Sequence, residues 1–352
     1  MVRLSVLDLF PIVSGTACSQ SIQESLALAR RVDELGYARY WVAEHHNSAM
    51  FATTSPEVLI AHVAATTRRM RVGAGGMMLP NHSPLRIVET FRMLAAIYPG
   101  RIDLGLGRAL GADPVTSSAL RRRPDGDDVD AQLAELCAFA TRGFPEGHPF
   151  ASIEAVPSDV ELPPIWMLGS SREGAAVAAS LGVGFAFAGH LNLPVAQGAI
   201  EAYRSQFKPS AAVPEPRLII TIWVVCGETD AEAEELAKPL RVGHARMSTG
   251  VRGPFPTPAE AREHELTMEQ RAVVHRLARV SIVGGPERVG AELDRLARDT
   301  GADEIMIVSV LSAEGERVRS YERVAKLAGL PLSPHRASLG CFPKKKLSDP
   351  TP

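Results

Sequence analysis

Only 5% of this 352-residue chain is aromatic, and its four cysteines, Cys18, Cys137, Cys226 and Cys341, are far apart and lack Cys-x-x-Cys spacing. So scattered a set argues against a zinc site or a disulfide framework and reads as reduced thiols, so no metal is expected. No apolar run approaches the length of a membrane span. The opening Met1-Val2-Arg3-Leu4-Ser5-Val6-Leu7-Asp8 also puts an acidic residue inside a run too short for a signal-peptide core. Cytoplasmic residence without a membrane partner is the expectation. Neither sign of charge is in excess: the formal net charge is -2, so no global field draws nucleic acid to the surface. A nicotinamide fingerprint is missing too, since Gly105-Leu106-Gly107-Arg108 lacks the third glycine and is followed by no clear helix start.

What the chain does have is alternation. Strand-like runs interleave with amphipathic helical runs, the pattern of repeated βα units on a parallel sheet. Strands are expected at residues 4–9, 40–43, 70–79, 101–108, 165–168, 184–188, 217–226 and 304–310. Helices are expected at 21–35, 56–68, 84–98, 128–141, 172–181, 286–300 and 314–328, with one more from about Asp230. Ile22, Leu26, Ala29, Val32 and Leu35 show the helical spacing, and Gly36 supplies a stop. Eight such units predict an α/β fold of the (β/α)8 TIM-barrel type with insertions at its C-terminal face, one domain over residues 1–330. Residues 109–127 read as a long loop that serves as a lid or stays irregular. Its Arg121-Arg122-Arg123 run, beside Asp125, Asp127 and Asp128, reads as a solvated, salt-bridged surface. Residues 242–267, rich in glycine and proline, read as an insertion unable to sustain one helix. The last 22 residues, 331–352, read as a mobile tail.

The most informative stretch is Tyr40-Trp41-Val42-Ala43-Glu44-His45-His46, an apolar strand that ends in a carboxylate and two imidazoles. Adjacent ionisable groups are expensive to bury, so this strand end opens into a polar pocket, where parallel α/β folds bind ligands. Imidazole titrates near neutrality and both gives and takes protons, which makes His45 a catalytic candidate; the alternative is a strand-end histidine satisfied by local hydrogen bonds. Glu44 would orient or charge-tune the pocket, with His46 packed behind. Glycines at 73, 75 and 76 interrupt a strand and mark close approach of a backbone or a ligand. Arg108 ends the next strand with donors suited to an oxyanion, or with a carboxylate partner such as Asp113. Gly169-Ser170-Ser171 runs into a helix N-terminus, where backbone N–H groups and the dipole favour an anion; plain capping by a serine satisfies the same geometry.

Taken in order, Glu44-His45-His46, Gly73-Ala74-Gly75-Gly76 with Leu79-Pro80, Gly100-Arg101, Gly105-Leu106-Gly107-Arg108 and Gly169-Ser170-Ser171 resemble the bacterial luciferase-like flavin-dependent monooxygenases, from about Leu4 to about Gly329. The resemblance implies a monooxygenase that uses reduced FMN and O2, through a C4a-peroxide, to oxidise a small organic, lipophilic substrate. It implies that His45 handles protons at the reactive flavin edge. It also implies that Gly75 and Gly76, joined by a cis peptide or forming a plain bulge, lie against the ring with Ala74 and Met77. Arg108, Gly169, Ser170 and Ser171 would meet the phosphate. Arg172 and Glu173 depart from the family's smaller or neutral residues, which fits weak flavin binding. Reduced FMN would then come from a separate NAD(P)H:flavin reductase. A homodimer through the helices after strands two and three is implied as well. Two alternatives stay open: hydride transfer with the deazaflavin F420 in the same fold, and a non-catalytic flavin-binding protein.

Overall fold

The computed structural model describes residues 2–109, 111–120 and 128–331. The elements are β1 (Arg3–Asp8), α1 (Cys18–Glu34), β2 (Arg39–Val42), α2 (Pro56–Thr66), β3 (Arg71–Ala74), β4 (Met77–Met78), α3 (Pro84–Ile97), β5 (Ile102–Gly107), α4 (Pro114–Leu120) and α5 (Val129–Thr141). The second half continues as β6 (Ile165–Gly169), α6 (Arg172–Leu181), β7 (Gly184–Phe187), α7 (Gly189–Asn192), α8 (Ala196–Gln206), β8 (Leu218–Cys226) and α9 (Asp230–Ser248). It ends with α10 (Pro258–Glu263), α11 (Met268–Ala278), β9 (Ser281–Gly284), α12 (Pro286–Thr300), β10 (Glu304–Val308) and α13 (Glu316–Leu327).

Every strand pairing is parallel, in the order β10-β1-β2-β3-β5-β6-β7-β8, and β8 pairs with β10 to close an eight-stranded barrel. This is the expected (β/α)8 architecture. Strand alternation sorts its side chains into two sets. Val6, Tyr40, Val72, Leu104, Ile220 and Ile307 point outward into the layer under the helices. Leu7, Trp41, Trp166, Ala186, Ile219, Trp223 and Met306 fill the interior, where Trp41 and Trp166 meet edge to face at 5.8 Å. Toward the N-terminal end the interior turns ionic. Arg39 pairs with Asp103 at 2.6 Å and Glu304 at 3.0 Å, and Arg71 pairs with Asp103 at 2.7 Å. Mutual pairing is what makes these buried charges tolerable.

The inward-facing glycines make room for the tryptophans. A Cβ at Gly75 would stand 2.7 Å from Leu7 Cδ1 and 3.0 Å from Trp41 Cβ, and one at Gly73 would stand 3.0 Å from Trp41 Nε1. Strand three is therefore not continuous over 70–79. It breaks into β3 and β4 around a cis Gly75–Gly76 peptide, and Leu79–Asn81 forms a 3-10 turn.

Three further expectations need correction. The stretch 109–127 contains α4, anchored by Asp113, which accepts from the backbone N–H groups of Val115 and Thr116. The arginine run 121–123 and the tail from 332 lie outside the described residues. The segment 242–267 is more helical than its composition predicts. α9 continues through Gly243 to Ser248, because that glycine is where Phe255 packs: a Cβ there would meet Phe255 Cδ1 at 2.6 Å. α10 and α11 follow, each opened by a capping box, from Thr257 with Glu260 and from Thr267 with Gln270. The sequence reading also omits β9, which pairs with Trp223–Cys226 of β8, a segment that runs on past the last barrel pairing at Trp223. The insertion crosses the C-terminal face of the barrel: Phe255 donates to Ile12 O and accepts from Ser14 N–H, in the loop after β1, at 2.8 Å each.

Candidate active site

Beyond the end of β2, alternation continues into Glu44 and His45 and sends them in opposite directions. Glu44 faces away from the barrel axis and is 1% exposed. Its carboxylate accepts from Met78 N–H at 2.8 Å and Asn81 Nδ2 at 3.1 Å, and it meets Nε2 of His46 at 2.8 Å and of His82 at 2.9 Å. Burial pushes its pKa up, but the bonds from His82, Met78 and His46 outweigh that and hold it below the ordinary carboxylate range. Glu44 thus pins β4 and the following turn, and reaches His45 through its charge alone. His82 and Asn81 escape sequence reading because they lie in the short connection after an apparent strand, 38 and 37 residues away. The one signal was a buried carboxylate in need of partners.

His45 turns over the mouth of the barrel. Its Nδ1 is 3.1 Å from Thr53 Oγ1, its backbone N–H donates to Thr53 O at 2.7 Å, and its ring lies 4.7 Å from that of Phe51. Burial pushes its pKa down to about 4, against the pull of Glu44. From Phe51, rings continue to Phe255 at 5.7 Å, to His244 at 5.8 Å, to Trp223 at 5.4 Å and to His190 at 5.7 Å. These six side chains come from the loop after β2, from α7, from β8, from α9 and from the insertion. In the sequence, His190 sits in a stretch, Gly189 to Asn192, polar enough to line the pocket, with a hydrogen bond to loop backbone as the alternative; His244 carries no such signal. Phe185, whose ring fits a pocket wall or ordinary core from sequence alone, is core: it faces the outer layer against Tyr203 at 5.4 Å.

Burial also pushes His190 down, to about 3, with the nearby imidazoles of His244 and His45 adding to the effect. Both folded-state values lie below the ordinary 6.5, so in the folded protein His45 and His190 stay neutral while the unfolded chain takes up protons. Stability is therefore unaffected above about pH 6.5 and falls as pH drops from there toward 4 and then 3, by at most about 1.4 kcal/mol per pH unit and imidazole. The thermal unfolding midpoint should fall across that window, and His190→Asn should flatten the slope. An unchanged slope would contradict the assignment of a neutral buried imidazole.

On the other side of the mouth, β5 and β6 are neighbours, with Gly107 opposite Leu168. Arg108 ends β5. Its Nη2 donates to Asp130 at 2.7 Å, rather than to Asp113, and among the described residues its buried Nε has no partner. Gly169 ends β6. Ser171 caps α6 by accepting from Gly174 N–H at 3.3 Å, while its own hydroxyl donates to Glu173 and lowers that carboxyl's pKa. Ser170 offers its carbonyl to Asn192 Nδ2 at 3.5 Å. Ala74 ends β3 in the outer layer, Gly75 and Gly76 follow, and Met77 is buried opposite Leu106. All the predicted site residues therefore lie at the C-terminal ends of β2, β3, β4, β5 and β6.

A closed parallel barrel with imidazoles, serine hydroxyls and a guanidinium at its C-terminal strand ends is the architecture of (β/α)8 enzymes. Within that class the chain belongs to the luciferase-like monooxygenase family, whose profile matches residues 2–304, and it is accordingly an oxidoreductase. The chain is 38% identical over 323 residues to a protein of Escherichia coli (strain K12) called luciferase-like monooxygenase, covering 91% of this chain and 95% of that one. It is 33% identical over 332 residues to the N-acetyl-S-alkylcysteine monooxygenase of Bacillus subtilis (strain 168), covering 92% and 97%. The crystal structure of apo-MsnO8 superposes with a TM-score of 0.83 at 36% identity, covering 94% of this chain and 99% of that one. At 19% and 13% identity the fold is shared with a 3,6-diketocamphane monooxygenase constituent in complex with FMN (TM-score 0.68) and an F420-dependent secondary alcohol dehydrogenase (TM-score 0.65). No described helix is long and apolar enough to cross a membrane.

Proposed function

We propose that the protein is an FMN-dependent monooxygenase that takes up reduced FMN at the barrel mouth and uses O2 to oxidise a small, lipophilic organic substrate. The observation that carries this reading is the unpartnered, buried Nε of Arg108. An N–H donor sealed from water without an acceptor costs about 1–3 kcal/mol, and a phosphate oxygen would relieve it. Across the adjacent strand end stand Ser170, Ser171 and the N-terminus of α6, which supply hydroxyls, backbone N–H groups and a favourable dipole. The residues present thus fit the phosphate end of a flavin mononucleotide.

Reduced FMN, when bound, supplies the electrons that activate O2. The Gly75–Gly76 backbone, beside Ala74 and Met77, is where the ring would lie; the missing side chains themselves make room for Leu7, Trp41 and the backbone of β5. His45, neutral at working pH and held by Thr53, delivers or accepts a proton at the reactive edge. Phe51 and Phe255 keep water from the space above it. With no nicotinamide fingerprint in the chain, reduced flavin comes from a separate NAD(P)H:flavin reductase, which belongs with a cytoplasmic setting. A homodimer is part of the same reading. α2 and α3 expose Val58 at 64%, Met93 at 50% and Ile97 at 57%, beside Val156 at 59%, an apolar face suited to a second copy.

An anaerobic titration of the purified protein with reduced FMN, reduced riboflavin and reduced F420 tests the cofactor. Saturable binding of FMN, at least tenfold tighter than riboflavin and F420, is expected. Preference for F420 would move the protein to hydride transfer, and FMN binding without reductase-coupled O2 consumption would leave a flavin carrier.

A further inference from the structure

His190 and His244 flank one indole, and their hydrogen bonds fix which nitrogen of each ring carries the proton. Thr221 has a single hydroxyl proton, and its contacts to Phe187 O at 3.1 Å and His190 Nδ1 at 2.6 Å are both hydrogen bonds only when that proton goes to the carbonyl, which solely accepts, and Nδ1 donates to the hydroxyl oxygen. His244 Nδ1 lies 2.9 Å from the carbonyl of Leu240, which only accepts. Each Nδ1 therefore carries the hydrogen. A neutral imidazole has one N–H, so Nε2 of both rings is a bare acceptor. Among the described residues neither Nε2 has a partner, and neither is sealed from solvent. Both rings stand edge-on to Trp223, at interplanar angles of 86° and 76°. Trp223 spends its own donor on His190 O at 3.0 Å, so the wall offers two acceptors and keeps its indole N–H to itself.

We propose that His190, Trp223 and His244 form a hydrogen-bond-accepting wall of the substrate pocket, which selects uncharged substrates that carry a hydroxyl or amide N–H donor on an apolar body. This rests on the reading that substrate meets FMN in the same mouth. Phe255 and Phe51 continue the wall toward His45 and take the apolar body. A carboxylate would bring further acceptors against acceptors. Burial keeps both rings from answering it with a proton, since it lowers the pKa of His190 and of His244. A donorless isostere would leave the imidazoles dehydrated and unpaired, the asymmetry by which a polar site rejects an analogue lacking its partner.

The test uses three probes of similar size: phenol, its methyl ether anisole, and benzoate. Binding is measured by calorimetry with the protein alone and with oxidised FMN bound, and in the latter case also by the perturbed flavin absorbance. Phenol should bind about tenfold or more tighter than anisole, and benzoate most weakly. His244→Phe and His190→Phe keep a ring while removing an acceptor, and each should bring the phenol-to-anisole ratio toward one. Should either fail to fold by circular dichroism, His244→Gln, which restores a neutral acceptor, should retain most of the preference. Equal binding of phenol and anisole, tighter binding of benzoate, no binding of phenol at millimolar concentration, or a ratio unchanged in both phenylalanine variants would overturn the proposal. A donor preference lost in the variants while FMN fails to bind would uphold the wall and remove the cofactor reading. FMN binding without any donor preference would remove the wall alone.

Discussion

His45→Ala should slow the reoxidation of protein-bound reduced FMN coupled to substrate oxidation by a factor of about 10² to 10⁴, the usual consequence of losing a general acid or base, while FMN affinity stays within about twofold. The separation follows from geometry. His45 stands on the β2 side of the mouth, tied to Thr53 and Phe51, whereas the phosphate cradle lies at the ends of β5 and β6. The substitution removes a ring from the apolar wall but no bond from the Glu44 network that fixes β4. Stopped-flow absorbance at the flavin band, with hydrogen peroxide release measured alongside, follows both quantities. An unchanged rate would make His45 a structural strand-end residue.

The second large effect is expected at Arg108. Replacing it with alanine should weaken reduced FMN binding about tenfold or more, since a charge-assisted phosphate contact is worth roughly 1.5–3 kcal/mol. Asp130 competes for the same guanidinium in the ligand-free protein, at 2.7 Å, but it is 61% exposed. An ion pair that open to water is worth about 0–1 kcal/mol, so phosphate wins the arginine. Asp130→Asn should therefore tighten FMN binding modestly, the opposite sign to Arg108→Ala. Riboflavin, without a phosphate, should be indifferent to both substitutions. If Arg108→Ala binds FMN as tightly as the wild type, the cradle lies elsewhere.

Much of this was legible in the sequence because barrel strands and amphipathic helices impose simple periods, and because strand ends announce themselves when ionisable residues follow apolar ones. All eight barrel strands fall where those patterns put them. The failures share a cause: each depends on a tertiary contact that no local window contains. Gly243 reads as a helix breaker until Phe255 is seen to need the space of its side chain. β9 is four residues long and owes its pairing to the overhang of β8. His82, Asn81 and His244 carry no motif of their own; they gain meaning from a buried Glu44 and from Trp223. Glu44, read as orienting or charge-tuning the pocket, faces away from it by strand alternation and acts on His45 through its charge.

A crystal structure of the protein soaked with FMN tests the central claim most directly. Density for the isoalloxazine ring against the Gly75–Gly76 peptide and within reach of His45, with the phosphate on Arg108, Ser170, Ser171 and the N-terminus of α6, is the expected result. Flavin bound outside the barrel mouth, or a phosphate that leaves Arg108 on Asp130 and its Nε unpaired, would contradict it.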